Sequence, residues 1–289
     1  VMTSLPAIAI EVYHARFGPP AMTPDDTWYV VEGVAKSAMP IVLVHGVGLD
    51  HSMFDEQVRA LKSNYQVIRY DLLGHGRTPA LPQRVSLNDF RDQLLSLFDQ
   101  LRIDKAFLVG FSLGGIIAQR FVADHGHRLC GLVLMSTFYR RTDDELAGVR
   151  SRLRITEKEG LDGIVEQAIE RWFDRSFQAR QPQAVASVRK ILSNNDRRGY
   201  TDAYRVFAEA EIENGSALLG VNCPTLVITG SDDLGATPVI AQRMVADLND
   251  ARLAVLDGFR HMTTIEAPSL INHALSEFFS EVEVTVLPE

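Results

Sequence analysis

Cysteine is nearly absent: Cys130 and Cys223 are the only two in 289 residues. Two are too few for a disulfide scaffold, and their spacing fits no metal knot. A reducing cytoplasm is therefore the expected setting, and neither a metal nor a cofactor is called for. Long apolar runs are missing as well. No stretch approaches the roughly 20 residues of a membrane-spanning helix, and residues 1–20 lack the basic start and apolar middle of a secretory leader. Positive charge is in deficit, with 29 Lys and Arg against 37 Asp and Glu and a formal net charge of −8. Nucleic-acid binding is dominated by phosphate neutralisation from basic patches, and no basic run occurs here. Repeats and low-complexity tracts are also lacking. The expected partner is a small-molecule substrate, with no nucleic acid and no membrane; a homodimer is compatible with this composition.

What is present is ordinary globular material, 46% hydrophobic and 23% charged. Several short apolar runs end in glycine, aspartate or serine: Ile41–Val44 before His45, 67–70 before Asp71, 106–109 before Gly110, 132–135 before Ser136, 225–228 before Thr229-Gly230, and 253–256 before Asp257. Near-continuous runs of Val, Ile and Leu, rather than apolar–polar alternation, predict strands covered on both faces, as in parallel sheets. Helical spacing lies between them. Ser86 reads as the N-cap of 87–101, where Leu87, Phe90, Leu94, Leu97 and Leu101 share a face. Segment 113–123 follows Ser112, and 238–248 opens on a proline. Alternating strands and helices predict a doubly wound, mostly parallel α/β sheet, with 8–12 and 28–33 as an antiparallel hairpin at its edge.

The alternation breaks over 138–220, where strand signals vanish and amphipathic stretches such as 164–172 and 185–192 take over. This predicts a helical cap inserted into a core made of 1–137 and 221–289. The insertion holds fourteen Lys or Arg and fourteen Asp or Glu, so the rest of the chain carries the whole −8.

Gly110-Phe111-Ser112-Leu113-Gly114 stands directly after a strand and before a helix. A serine at so sharp a turn needs small neighbours, and the following helix N-terminus favours negative charge developing beside it. The plain alternative is a Gly-Ser turn. A serine hydroxyl needs a base, and of the eight histidines His261 lies in a loop after the last strand, at the sheet edge where Ser112 also falls. His45 and His75 share that edge but precede the serine. An acid must orient the imidazole, and Gly230-Ser231-Asp232-Asp233 supplies two aspartates, either of which could serve. Glycine-rich His45-Gly46-Val47-Gly48 after the first parallel strand can offer the Val47 N–H, together with that of Leu113, to a developing oxyanion.

His45-Gly46, Asp71-Leu72-Leu73-Gly74-His75-Gly76-Arg77-Thr78, Gly110-Phe111-Ser112-Leu113-Gly114-Gly115, Gly230-x-x-Asp233 and His261 together resemble the α/β-hydrolase superfamily over nearly the whole chain. The resemblance implies Ser112, Asp233 and His261 as the catalytic triad, because the family's acid lies three residues after that glycine. One extra residue before Thr237-Pro238 departs from the pattern. Within the superfamily, Arg171-Trp172-Phe173, Phe177 and Gly199-Tyr200-x-x-Ala203-Tyr204 are similar to the lid of 3-oxoadipate enol-lactonases. Serine at 112 sets the chain apart from haloalkane dehalogenases and epoxide hydrolases, which carry aspartate there. Phe111 stands where C–C hydrolases usually show asparagine, and the proline iminopeptidase motifs are missing. The expected function is hydrolysis of a small ester or lactone through an acyl-enzyme, with a carboxylated, enol-lactone-like substrate met by His45, Arg140, Arg141, Arg171 or Trp172. The same triad serves amide or C–C bond hydrolysis, and a ligand receptor on a hydrolase scaffold is the reading of another class.

Overall fold

The computed structural model describes residues 11–15, 27–34 and 39–286. Among the described residues eight strands form one sheet: β1 (Glu11–Ala15), β2 (Thr27–Gly33), β3 (Ile41–Val44), β4 (Gln66–Tyr70), β5 (Ala106–Phe111), β6 (Leu129–Met135), β7 (Thr225–Gly230) and β8 (Ala251–Leu256). Their spatial order is β1-β2-β4-β3-β5-β6-β7-β8. Only β2 runs against its neighbours; every pairing from β4 to β8 is parallel. The expected antiparallel hairpin is present over its described part, and residues 8–10 lie outside the described residues, as does most of the segment read for a leader.

The helices flanking the sheet are α1 (Asp55–Leu61), α2 (Leu87–Gln100), α3 (Leu113–His125), α10 (Pro238–Asp247), α11 (Thr263–Glu266) and α12 (Pro268–Val286). Ser86 begins α2 with a reciprocal capping box to Asp89, a device that contributes about 1 kcal/mol. α2 packs on α3, and α1 on α12. With both faces covered, β3, β5, β6 and β7 are buried along their length, as their apolar runs predict. β8 differs. Its residues are half-buried or exposed, none fully buried, because it is the last strand and lacks a neighbour on one side. An unbroken apolar run at an edge reads like a central strand, so the expectation of burial on both faces fails there.

Between β6 and β7 the chain forms α4 (Asp143–Glu159), α5 (Val165–Trp172), α6 (Arg175–Arg180), α7 (Pro182–Ser193), α8 (Arg197–Glu209) and α9 (Glu211–Asn214). Ile164 lies outside α5 as its N-cap residue. The buried faces of α4 to α8 join the same continuous hydrophobic cluster as the sheet. Among the described residues no helix is long and apolar enough to cross a membrane.

Candidate active site

Four loops leave the carboxyl ends of β3, β5, β7 and β8 and converge. β5 turns into α3 at Ser112, whose backbone is held at φ +53° and ψ −115°, a conformation costing a non-glycine residue on the order of 1–3 kcal/mol. The surroundings fix it. Ser112 N–H donates to the Met135 carbonyl (3.0 Å), and its own carbonyl accepts from Thr137 Oγ1 (2.6 Å). A side chain at Gly110 would collide with the Gly114 backbone, and one at Gly114 with the carbonyls of Val44 and His45. Both glycines are there for close approach.

β7 delivers Asp233, and β8 delivers His261. Asp233 Oδ2 accepts from His261 Nδ1 at 2.7 Å. Its Oδ1 accepts from the N–H groups of Gly235 (2.9 Å) and Ala236 (3.0 Å). Burial alone would raise the Asp233 carboxyl pKa, but the imidazole and the two backbone donors outweigh it and hold it below the ordinary carboxylate range. Asp232 is exposed, and among the described residues its carboxylate meets only Ser231 Oγ (2.9 Å). The two neighbours lie in the turn after β7 and meet opposite environments, one exposed and the other buried. Among the described residues no hydrogen bond joins Ser112 Oγ to His261, although both line one cavity of about 300 Å³. Three rings surround the imidazole: Phe111 at 5.1 Å, Phe138 at 6.3 Å and Trp172, stacked, at 6.2 Å between centroids.

Val47 also lines this cavity. Among the described residues, neither the Val47 N–H nor the Leu113 N–H is engaged elsewhere. The loop bearing Val47 is pinned by two buried histidines. His45 donates from Nδ1 to the Gly46 carbonyl (2.8 Å) and accepts at Nε2 from Leu72 N–H (2.9 Å). His75 donates from Nδ1 to the Leu73 carbonyl (3.1 Å) and accepts at Nε2 from Gly48 N–H (3.0 Å). Burial lowers both pKa values, that of His75 to about 3, which keeps the rings neutral and each Nε2 an acceptor. His45 is thus corrected as a substrate contact: both its nitrogens are occupied, and it does not line the cavity.

The remaining wall comes from the helices between β6 and β7. α4 contributes Val149 and Arg152, α5 contributes Arg171 and Trp172, and α8 contributes Tyr200, Tyr204 and Phe207. Arg140 is a second correction. It is exposed and pairs with Asp247 at 2.7 Å, away from the cavity. Arg141 does line it, but its charge is matched by Glu211 (2.5 Å). Arg152 and Arg171 lack such a match: Arg152 Nε donates to Tyr204 Oη (2.9 Å) and Arg171 Nε to the Gln167 carbonyl (3.3 Å). Among the described residues neither makes an ion pair. Burial, then the Arg152 cation, push the Arg171 pKa below its ordinary value, which marks a charge without a counter-ion. Phe173 and Phe177 stack on each other (5.4 Å) and stay out of the cavity.

Arg152 was not among the sequence candidates. The signal for it exists, because Leu146, Val149 and Thr156 form the buried stripe of α4 and Arg152 falls on that stripe at helical spacing. No group of His, Cys, Asp and Glu suited to a metal ion occurs among the described residues.

A family model described as the alpha/beta hydrolase fold matches residues 39–268. The chain is similar to (E)-2-((N-methylformamido)methylene)succinate hydrolase of Acinetobacter baylyi, with 29% identity over 82% of this chain and 88% of that one. It is 27% identical to 3-oxoadipate enol-lactonase 1 of the same organism, over 86% and 91% of the two chains. The crystal structure of an enol-lactonase from Burkholderia xenovorans LB400 superposes with a TM-score of 0.81 and 27% identity, covering 88% of this chain and 96% of that one.

Proposed function

The chain belongs to the α/β-hydrolase fold family, and from that premise we propose that it hydrolyses a small ester or lactone through an acyl-enzyme on Ser112. Ser112 Oγ attacks the carbonyl carbon while His261 Nε2 takes its proton, and Asp233 Oδ2 holds the Nδ1 proton and steadies the imidazolium that forms. The tetrahedral oxyanion is met by the N–H groups of Val47 and Leu113, a reading supported by the lack of any other acceptor for either among the described residues. Collapse expels the alkoxide, which takes the proton back from His261. In a lactone the leaving oxygen stays attached to the acyl group. Water, activated by the same histidine, then frees the acid. The observation that carries this reading is the strained serine turn opening into the same cavity as an imidazole held by a buried carboxylate.

The helices 138–220 act as a cap that selects the substrate. Two half-buried arginines without counter-ions in their wall, Arg152 and Arg171, support a substrate bearing a carboxylate, because a cation partly withdrawn from water gains from an anion that joins it. The names of the two Acinetobacter relatives, a succinate-derivative hydrolase and an enol-lactonase, point the same way.

The experiment is active-site labelling. A fluorophosphonate should modify the protein once, at Ser112, and Ser112→Ala should prevent labelling and lower ester turnover by several orders of magnitude while the protein remains folded. Turnover retained by a folded Ser112→Ala protein refutes the nucleophile.

A further inference from the structure

His261 sits in a loop whose flanking residues are both bonded to the cap. On one side, Met262 N–H donates to the carbonyl of Trp172, the last residue of α5 (3.2 Å). On the other, Arg260 Nη1 donates to the carbonyls of Glu170 (2.6 Å) and Phe173 (3.3 Å). The guanidinium thereby serves carbonyls that the end of a helix leaves without partners. Glu266, at the end of α11, closes the arrangement with its two carboxylate oxygens. Oε2 accepts from Arg260 N–H (3.2 Å) and Oε1 from Asp174 N–H, at the junction of α5 and α6 (3.2 Å). Two pairs of segments some ninety residues apart in the chain thus meet at one half-buried carboxylate: the His261 loop with α11, and α5 with α6.

Nothing in the hydrolytic steps uses Glu266, and among the described residues no cation pairs with its side chain. Burial pushes its pKa up to about 7, against the pull of the two backbone donors. A carboxylate kept at such a disadvantage marks a position where its two acceptor oxygens matter.

We propose that Glu266 and Arg260 are positioning residues that fasten the His261 loop to the α5–α6 junction, so that the imidazole and the cavity wall keep one register. The inference rests on the reading of Ser112, His261 and Asp233 above. Its consequence is that the cap sets the rate of the chemical step as well as the choice of substrate. Misplacing a general base by about 1 Å suffices to slow a reaction up to a hundredfold.

The test uses full-length protein and p-nitrophenyl acetate, a neutral ester that does not call on the cap arginines. We compare wild type, Glu266→Ala and Glu266→Gln in kcat, KM and the rate of Ser112 labelling by a fluorophosphonate, all per labelled active site. Glu266→Ala should lower kcat and the labelling rate about tenfold with KM within twofold. Glu266→Gln, whose amide oxygen still accepts one N–H, should stay within about threefold of wild type. If Glu266→Ala fails to fold, Arg260→Ala against Arg260→Lys carries the same comparison. Folded variants that melt lower but keep wild-type kcat and labelling rates overturn the positioning role and leave Ser112 standing. A wild type that is not labelled at Ser112 overturns both readings.

Discussion

The loops at the sheet edge and the helices over them enclose one cavity, yet they hold their charges differently. At the edge the polar groups of the site are anchored before any ligand arrives. Both Asp233 oxygens are occupied, His45 and His75 have a partner at each nitrogen, and Ser112 is held in its strained turn from both sides. Above it, Arg152 and Arg171 face the same space with one neutral acceptor each. Asp233 and the two histidines that pin the Val47 loop are satisfied by the protein, whereas the N–H groups of Val47 and Leu113 and the two arginines are left for a ligand to satisfy. Catalysis gains from such preorganisation, and selectivity gains from charges that only the right substrate neutralises.

The largest effect should come from breaking the anchored side. Asp233→Asn should lower kcat by about 10³–10⁴ by favouring the wrong imidazole tautomer, whereas Asp232→Asn, at an exposed carboxylate, should change it by less than about threefold. Comparable losses in the two purified variants would dissolve the distinction between anchored and open groups. Next come the open cations. Arg171→Gln and Arg152→Gln should each raise KM for a carboxylated ester by about tenfold or more, the loss of a charge-assisted contact, and leave KM for its neutral methyl analogue nearly unchanged. Equal behaviour toward the charged and neutral esters in every arginine variant would remove the anionic-substrate reading and leave the serine chemistry intact.

The smallest effect concerns pH. Because the Glu266 pKa is pushed up to about 7 in the folded protein, above its ordinary value near 4.5, the native state holds this proton more tightly than the unfolded chain. Its contribution to stability therefore falls as pH rises through the interval from about 4.5 to 7. Glu266→Gln removes that term, so its melting temperature relative to wild type should climb by about 1–3 °C across the interval. Asp233 has the opposite sign. Its depressed pKa adds stability above the ordinary carboxylate range, and that stability is lost on acidification. A difference between Glu266→Gln and wild type that stays flat with pH would count against the burial of Glu266.

How far the sequence discloses each part follows the same division. The strands are legible as apolar runs because the sheet is covered on both faces, and Ser112, the glycines around it and His261 are legible from their order along those strands. β8 misleads because edge position is a tertiary property that its own residues do not record. The choice between Asp232 and Asp233 turns on which side chain faces inward, and two adjacent residues of one kind carry no sign of that. The cap is harder. Its aromatics and arginines have several faces to choose from, so Arg140 and Arg171 read alike, although one lies on the surface against Asp247 and the other on the cavity. Arg260 and Glu266 matter through backbone partners ninety or so residues away, and backbone partners leave no mark in side-chain patterns.

The insertion between β6 and β7 also orders events during folding. Leu132 must find Thr225 to begin the parallel ladder between those strands, with all the cap helices in the intervening chain. Closing so long a loop carries an entropic cost that local pairings such as α2 on α3 avoid, and non-local parallel pairing is slow for that reason. On that ground the β6–β7 ladder, which brings Asp233 and His261 to the sheet edge that carries Ser112, is expected to form late in folding, after the strands on the Ser112 side.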